Sequence, residues 1–387
     1  MGGMISVDTF APVAFTAAGE TWAVAPDIFV TTQGASAFRS NVSGSVLINH
    51  GFIFTSHAGA FAYGVDFGGT NGVVTNTADA VIKGSLAGVH FGNGGGFLTN
   101  MGRIIGGRDG GVFLDVAATI NNSGTISGVV GIKNQTPVQA TKITNSGTIK
   151  GTEDGLLLTP AANLTVTIDN QAGGIISAPS AIDSNSGRVS LTNKGLISGS
   201  IFFDATVGNV NDSIINSGRI TGVVLLGAGS DVFHGAAGST TVSVGGGAGN
   251  DSLIGSKVGD VLDGGEGEDT LRGGLGTDTM FGGPNKDVFA FASIAESVPG
   301  AKRDFIADFQ RSFDDIDLSG IDARTNLAGN QAFTWRGSLV FTKVAGQLRF
   351  IDQGLNCLVQ ADVNGDGKSD FEITVKTSTF GIGDFIL

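Results

Sequence analysis

Asp251, Asp260, Asp269, Asp278 and Asp287 stand nine residues apart, and each is followed two places on by a large apolar residue: Leu253, Leu262, Leu271, Met280 and Phe289. The five nines, GGAGNDSLI, GSKVGDVLD, GGEGEDTLR, GGLGTDTMF and GGPNKDVFA, share one frame, G-G-x-G-x-D-x-Φ-x. Carboxylates and peptide carbonyls at this density are hard oxygen donors, and calcium takes about six to eight of them. Glycines at the first, second and fourth places allow backbone angles closed to other residues, so a six-residue turn presents its carbonyls to one side. The candidate metal-binding set is therefore these aspartates with Gly247, Gly249, Gly265, Gly267, Gly274, Gly276 and Gly283.

Such turns need short strands between them. One apolar residue per nine points inward, and the strands stack into a parallel β-roll. Two looser nines precede the run. LGAGSDVFH, from Leu226, adds Asp231 as a candidate ligand, whereas GAAGSTTVS, from Gly235, has Thr240 at the aspartate place and is followed by two extra residues, Val244 and Gly245.

The run resembles the RTX (repeats-in-toxin) family. The resemblance implies that calcium lies between a turn and the turn two repeats on, which couples Asp251 with Asp269, Asp260 with Asp278, and Asp269 with Asp287. Beyond the run, DFIADFQRSFDDIDLSGIDA from Asp304 and ADVNGDGKSDFEI from Ala361 resemble the segment that follows the β-roll in serralysins. In the second motif Asp362, Asn364, Asp366 and Asp370 alternate as in an EF-hand loop, but its twelfth place is Ile373 where an EF-hand needs glutamate. A calcium-binding hairpin turn and a plain polar turn both remain open. The ending GIGDFIL, with Asp384, Phe385, Ile386 and Leu387, resembles the uncleaved signal of type I secretion, and the opening MGGMISVDTF lacks the basic region of a secretory signal.

A longer repeat occupies residues 46–226. Asn49, Asn76, Asn100, Asn122, Asn145, Asn170, Asn193 and Asn216 recur every 22 to 27 residues, each two places after an apolar residue. Ile53, Ile104, Ile126, Ile149, Ile197 and Ile220 stand four places after an asparagine. This period predicts a parallel β-helix of about eight coils, stacked isoleucine on isoleucine and asparagine on asparagine. A second short strand, G-Φ-x-Φ, follows in several coils. It places Asp66 and His90 at one outward position in adjacent coils, with Lys133 two coils on and Leu157 and Phe202 further along. These three are the only candidates for an acid–base site, and there is no H-E-x-x-H zinc motif.

Composition agrees. With 64 glycines and 15% charged residues, the chain reads as turns and short strands, not helices. The 13 acidic and 10 basic residues up to residue 225 give way to 22 and 12 beyond it, so the acidity sits with the candidate calcium half, and nucleic acid is excluded as a partner. No apolar stretch is long enough to span a membrane. Cys357 stands alone and reads as a buried, inert thiol.

The expected fold class is all-β: cap or assembly strands over 1–45, a parallel β-helix (solenoid) over 46–226, an RTX calcium β-roll over 227–291, and a β-sandwich-like cap with the export signal over 292–387. The expected role is non-catalytic: a secreted, calcium-dependent structural or surface protein of S-layer, filament or adhesin type. It would lie outside a Gram-negative cell, with itself, the type I machinery and cell-surface polysaccharide as partners. A polysaccharide lyase or epimerase is the alternative.

Overall fold

The computed structural model describes residues 2–56, 62–135, 140–161, 164–203, 210–240 and 243–387. The chain forms two units, Met1–Val210 with Gly218–Thr221, and Asn211–Ser217 with Gly222–Leu387. Both are built of β-strands, and the sole helical element among the described residues is a single 3-10 turn, Ile382–Asp384.

In the first unit each coil lays a strand on each of two parallel sheets. Thr21–Val24, Val46–Asn49, Gly72–Asn76, Gly96–Asn100, Ala118–Asn122, Thr141–Asn145, Thr165–Asn170 and Arg188–Asn193 pair in that order without a register shift. Leu47, Val74, Leu98, Ile120, Ile143, Ile168 and Leu191 stack on one another in this sheet and are buried. On the second sheet Ile53, Ile82, Ile104, Ile126, Ile149, Ile176, Ile197 and Ile220 make a matching stack. Each such side chain contributes about 1.5–3 kcal/mol by leaving water. Ile82 and Ile176 escape the sequence pattern because their coils carry two extra residues between asparagine and isoleucine.

The asparagines form a continuous column. The amide of Asn49 donates to Oδ1 of Asn76 at 2.9 Å, and the same contact recurs from Asn76 to Asn100, Asn122, Asn145, Asn170 and Asn193 at 2.7–2.8 Å. The second hydrogen of each amide goes to peptide carbonyls, as from Asn100 to Gly102 and Thr125. The side chains are buried and satisfied, which is what burial of an amide requires.

The boundary expected at residue 46 is not where the coils begin. Met4–Ile5 pairs in parallel with Thr21–Val24, Val13–Phe15 with Phe38–Ser40, and Phe29–Gln33 with Phe52–Ser56. Residues 4–40 are thus coils themselves. They lack the asparagine signal because Val24 occupies the place opposite Asn49 and is fully buried.

The second unit has two apolar stacks. Ile214, Phe233, Leu253, Leu271, Phe289, Ile316 and Phe385 are successive partners in one sheet, and Val224, Val244, Leu262, Met280, Ile306 and Val375 in the other. Val244, expected as part of an insertion, fills the apolar slot between Val224 and Leu262, so the looser repeat keeps its place in the stack. Residues 241–242 of that repeat lie outside the described residues.

Where the sequence suggested a sandwich-like cap, the last hundred residues hold an antiparallel meander, Gln347–Asp352, Cys357–Asp362 and Phe371–Val375. Its last strand pairs in parallel with Asp304–Ile306, so the meander extends a sheet of the roll. Cys357 is buried inside it, and burial pushes its thiol up to about 11.

Candidate metal centre

The repeat aspartates are joined in two ladders. In the first, the backbone N–H of each aspartate donates to Oδ1 of the aspartate two turns on: Asp231 to Asp251 at 2.8 Å, Asp251 to Asp269 at 2.8 Å and Asp269 to Asp287 at 2.9 Å. Asp212 and Asp314 extend it, the first donating to Asp231 at 2.6 Å and the second receiving Asp287 at 3.0 Å. The second ladder runs from Asp260 to Asp278 and from Asp278 to Asp304, both at 2.8 Å. All three couplings implied by the RTX resemblance are thus direct neighbours in the ladders.

One oxygen per carboxylate is therefore used. The other is open: Oδ2 of Asp231, Asp251, Asp269, Asp278, Asp287 and Asp304, and Oδ1 of Asp260, are buried without a hydrogen-bond partner. Each of these residues is at most 3% exposed. Burial, with neighbouring carboxylates adding to it, pushes Asp231, Asp251, Asp278 and Asp287 up to about 7 and Asp304 to about 8, and burial raises Asp260 and Asp269 too. A column of buried anionic oxygens lacking counter-charge is costly on its own and suits a hard cation.

The glycines complete the cradle. The seven singled out by sequence all have φ between 94° and 145°, as carbonyl-presenting turns require. The first glycine of a nine serves another purpose, which the sequence did not disclose. A Cβ on Gly264 would stand 2.4 Å from Oδ2 of Asp269, so glycine there leaves room for the carboxylate to fold over its own turn. Among the described residues no three His, Cys, Asp or Glu side chains converge on one point, so any cation here would take peptide carbonyls beside its carboxylate pair.

A model of the Peptidase M10 serralysin C-terminal family matches residues 110–387, well over half of the chain. The chain belongs to that family. A comparison with curated proteins finds no match. Among solved structures, the AlgE6R3 subunit of the Azotobacter vinelandii mannuronan C5-epimerase is 21% identical over 47% of this chain and 82% of its own, with a TM-score of 0.23. At that score the likeness carries no argument about shape or activity.

Within this serralysin-type C-terminal domain, three ladder residues lie outside the nonapeptides: Asp212, Asp304 and Asp314. A fragment of the repeat marks each of them, an aspartate two places before a buried Ile214, Ile306 or Ile316. The hairpin loop after Cys357–Asp362 spends most of its oxygens on its own amides. Asp362 receives Gly365 and Gly367, Asn364 receives Asp366, Asp366 receives Lys368, and Asp370 receives Val363 and Asn364. At the far end, Asp384 is buried and accepts the N–H of Gly381 at 2.7 Å and of Ser312 at 3.2 Å, with Arg311 at 3.4 Å. Phe385 closes an apolar stack, Ile386 is 40% exposed and Leu387 lies partly open.

The acid–base candidates in the first unit are spoken for. His90 is 9% exposed, with Nδ1 2.8 Å from Asp66 and Nε2 3.1 Å from Asp115. Its ring lies between Tyr63 and Phe113, at centroid distances of 4.3 and 5.2 Å. Burial opposes its charge, but the two carboxylate hydrogen bonds outweigh burial and raise its pKa. An imidazolium held at both nitrogens has no lone pair for proton abstraction. Lys133 does not join it: Phe113 stands between them in the ladder, and Lys133 faces Asp109 at 3.7 Å.

Proposed function

We propose that this chain is an exported, calcium-loaded solenoid with a non-catalytic structural role outside the cell. The observation that carries the reading is the set of open, buried carboxylate oxygens in both ladders. Calcium bound there would offset charge that the roll otherwise holds against itself, so folding would wait for the high calcium outside cells. Type I export, with Asp384, Phe385, Ile386 and Leu387 as its signal, accords with a chain kept unfolded until then. When bound, calcium supplies charge neutralisation and cross-linking of turns. The chain's own aspartates position the oxygens, and its glycines clear the space.

We further propose self-association through the outer edge of the coil at residues 4–40. Among the described residues, Met4–Ile5 and Val13–Phe15 each pair with one neighbouring strand, leaving backbone groups open on the outer side. Met4, Val7 and Phe10 are 67%, 70% and 79% exposed beside that edge. A second copy can add a strand there. Because residues before 45 are coils, truncating them would expose the next edge, so substitution is the sounder test. Analytical ultracentrifugation in calcium should show assembly of the native chain and its loss in a Val7→Lys, Phe10→Lys variant. If the native chain stays monomeric in calcium, the building-block reading fails. The polysaccharide-enzyme reading lacks a free acid–base group at Asp66, His90 and Lys133.

A further inference from the structure

We propose that the surface which receives the first coil is a basic, apolar patch of a second copy, at residues 339–344 beside the meander, so that copies of the chain join through two unlike faces. This rests on the self-association reading above and names the face on the other side of the contact.

The two faces match in charge. Residues 1–38 hold Asp8, Glu20 and Asp27 and no basic side chain, whereas residues 323–351 hold Arg324, Arg336, Lys343 and Arg349 and no acidic one. The second stretch runs against its surroundings, since the chain beyond residue 225 carries 22 acidic and 12 basic residues. Asp8, Asp27 and Lys343 are exposed. Opposite charges across an interface steer the encounter and select which surfaces pair. A contact between two first coils would instead set Asp8 and Asp27 against their own copies.

They match in apolar surface too. Leu339, Val340 and Val344 are 61%, 69% and 50% exposed, a concentration within six residues comparable to Met4, Val7 and Phe10 beside the edge of the first coil. Grouped apolar side chains left in water mark an interaction surface. The patch is held in place by the meander. The N–H of Thr342 donates to Oε1 of Gln347 at 2.8 Å, the Gln347 amide donates back to the Thr342 hydroxyl at 2.6 Å, and the Arg349 guanidinium lies 4.6 Å from the centre of the Phe341 ring. A face fixed in advance loses little freedom on docking. Just before it in the chain, Thr334–Trp335 pairs with Gln347–Asp352 and, among the described residues, with no other strand. That open edge can meet the open edge of Met4–Ile5 or Val13–Phe15. After one contact each copy still has an unused face, so association continues past a pair.

The test is sedimentation velocity of the full-length chain in calcium. The native chain should assemble beyond a dimer. A Leu339→Lys, Val340→Lys variant should stay monomeric, as should the Val7→Lys, Phe10→Lys variant. Mixed in equal amounts, the two should form a pair with one chain of each and nothing larger, because each supplies the face that the other lacks. If Leu339→Lys, Val340→Lys assembles as the native chain does, or if the mixture stays monomeric, the inference is overturned while association through the first coil still stands. Should that variant lose the native circular dichroism in calcium, Lys343→Glu takes its place: it should raise the concentration at which assembly begins about tenfold, and an unchanged concentration overturns the inference. A native chain that is monomeric in calcium overturns the parent reading and this one with it.

Discussion

Oδ1 of Asp269 accepts the backbone N–H of Asp251 at 2.8 Å while Oδ2 of the same carboxylate has no partner. The two oxygens answer to different conditions. The first holds the turns together in any solvent, and the second is a liability until a cation arrives.

Asp269→Asn separates them. The amide oxygen still accepts from Asp251, but the negative charge is gone. The calcium-free chain should become more stable in urea, and the calcium midpoint by circular dichroism should rise. Asp269→Ala, which leaves the Asp251 N–H unpaired, should instead cost about 1–3 kcal/mol with or without calcium. If the asparagine variant destabilises the calcium-free chain, the open oxygen is not the liability described.

The calcium-free roll should be steadier in acid. Carboxyls raised to about 7 at Asp231, Asp251, Asp278 and Asp287 bind protons in the folded state that the unfolded chain, titrating near 3.8, has released. Their contribution is full below the unfolded value and is lost as pH climbs through about 7. Circular dichroism in chelator at pH 4.5 should show more ordered strand than at pH 7.5. A rise in order with pH would contradict it.

The asparagine column gives a third expectation. Asn122 accepts from Asn100 and donates to Asn145, whereas Asn49 stands at the end of the column opposite Val24. Asn122→Ala strands polar groups on both sides, at about 1–3 kcal/mol each. Asn49→Ala strands them on one. Thermal melts in calcium should show the larger loss for Asn122→Ala, and equal losses would deny the column its role.

For His90 the sign is opposite to that of the aspartates in cause but not in direction. Its raised pKa means that the contribution to stability is complete below about 6.5 and fades as pH rises through the folded value. With calcium saturating, the native chain should melt lower at pH 9 than at pH 6, and His90→Gln should flatten that difference. A variant with the native pH slope would place the proton elsewhere.

Much of this was legible in sequence because both repeats write their core into fixed intervals. Asn122 was paired with Asn145 by counting, and Asp251 with Asp269 by what the RTX resemblance implies for turns two repeats apart. Counting failed where the chain added or swapped residues without changing the stack. Ile82 and Ile176 slipped two places, Val24 replaced an asparagine, and Asp304 kept its position with no glycine turn before it. Asp115 was missed because it joins His90 from beyond the end of the strand Gly110–Leu114, where no period points. The meander lay beyond any period, since its pairing with Asp304–Ile306 joins residues far apart in the chain.

The two kinds of stack differ in what they tolerate. Leucine, valine and isoleucine replace one another freely between Leu47 and Leu191, so the apolar layers would accept a coil that had slipped along its neighbour by two residues. The amide column would not. Such a slip keeps the same face inward but sets an asparagine against an aliphatic side chain, stranding a donor above and an acceptor below in a buried site. The asparagines therefore proof-read the winding of the chain: burial drives the coils together, and the column penalises every misaligned winding that burial alone would allow.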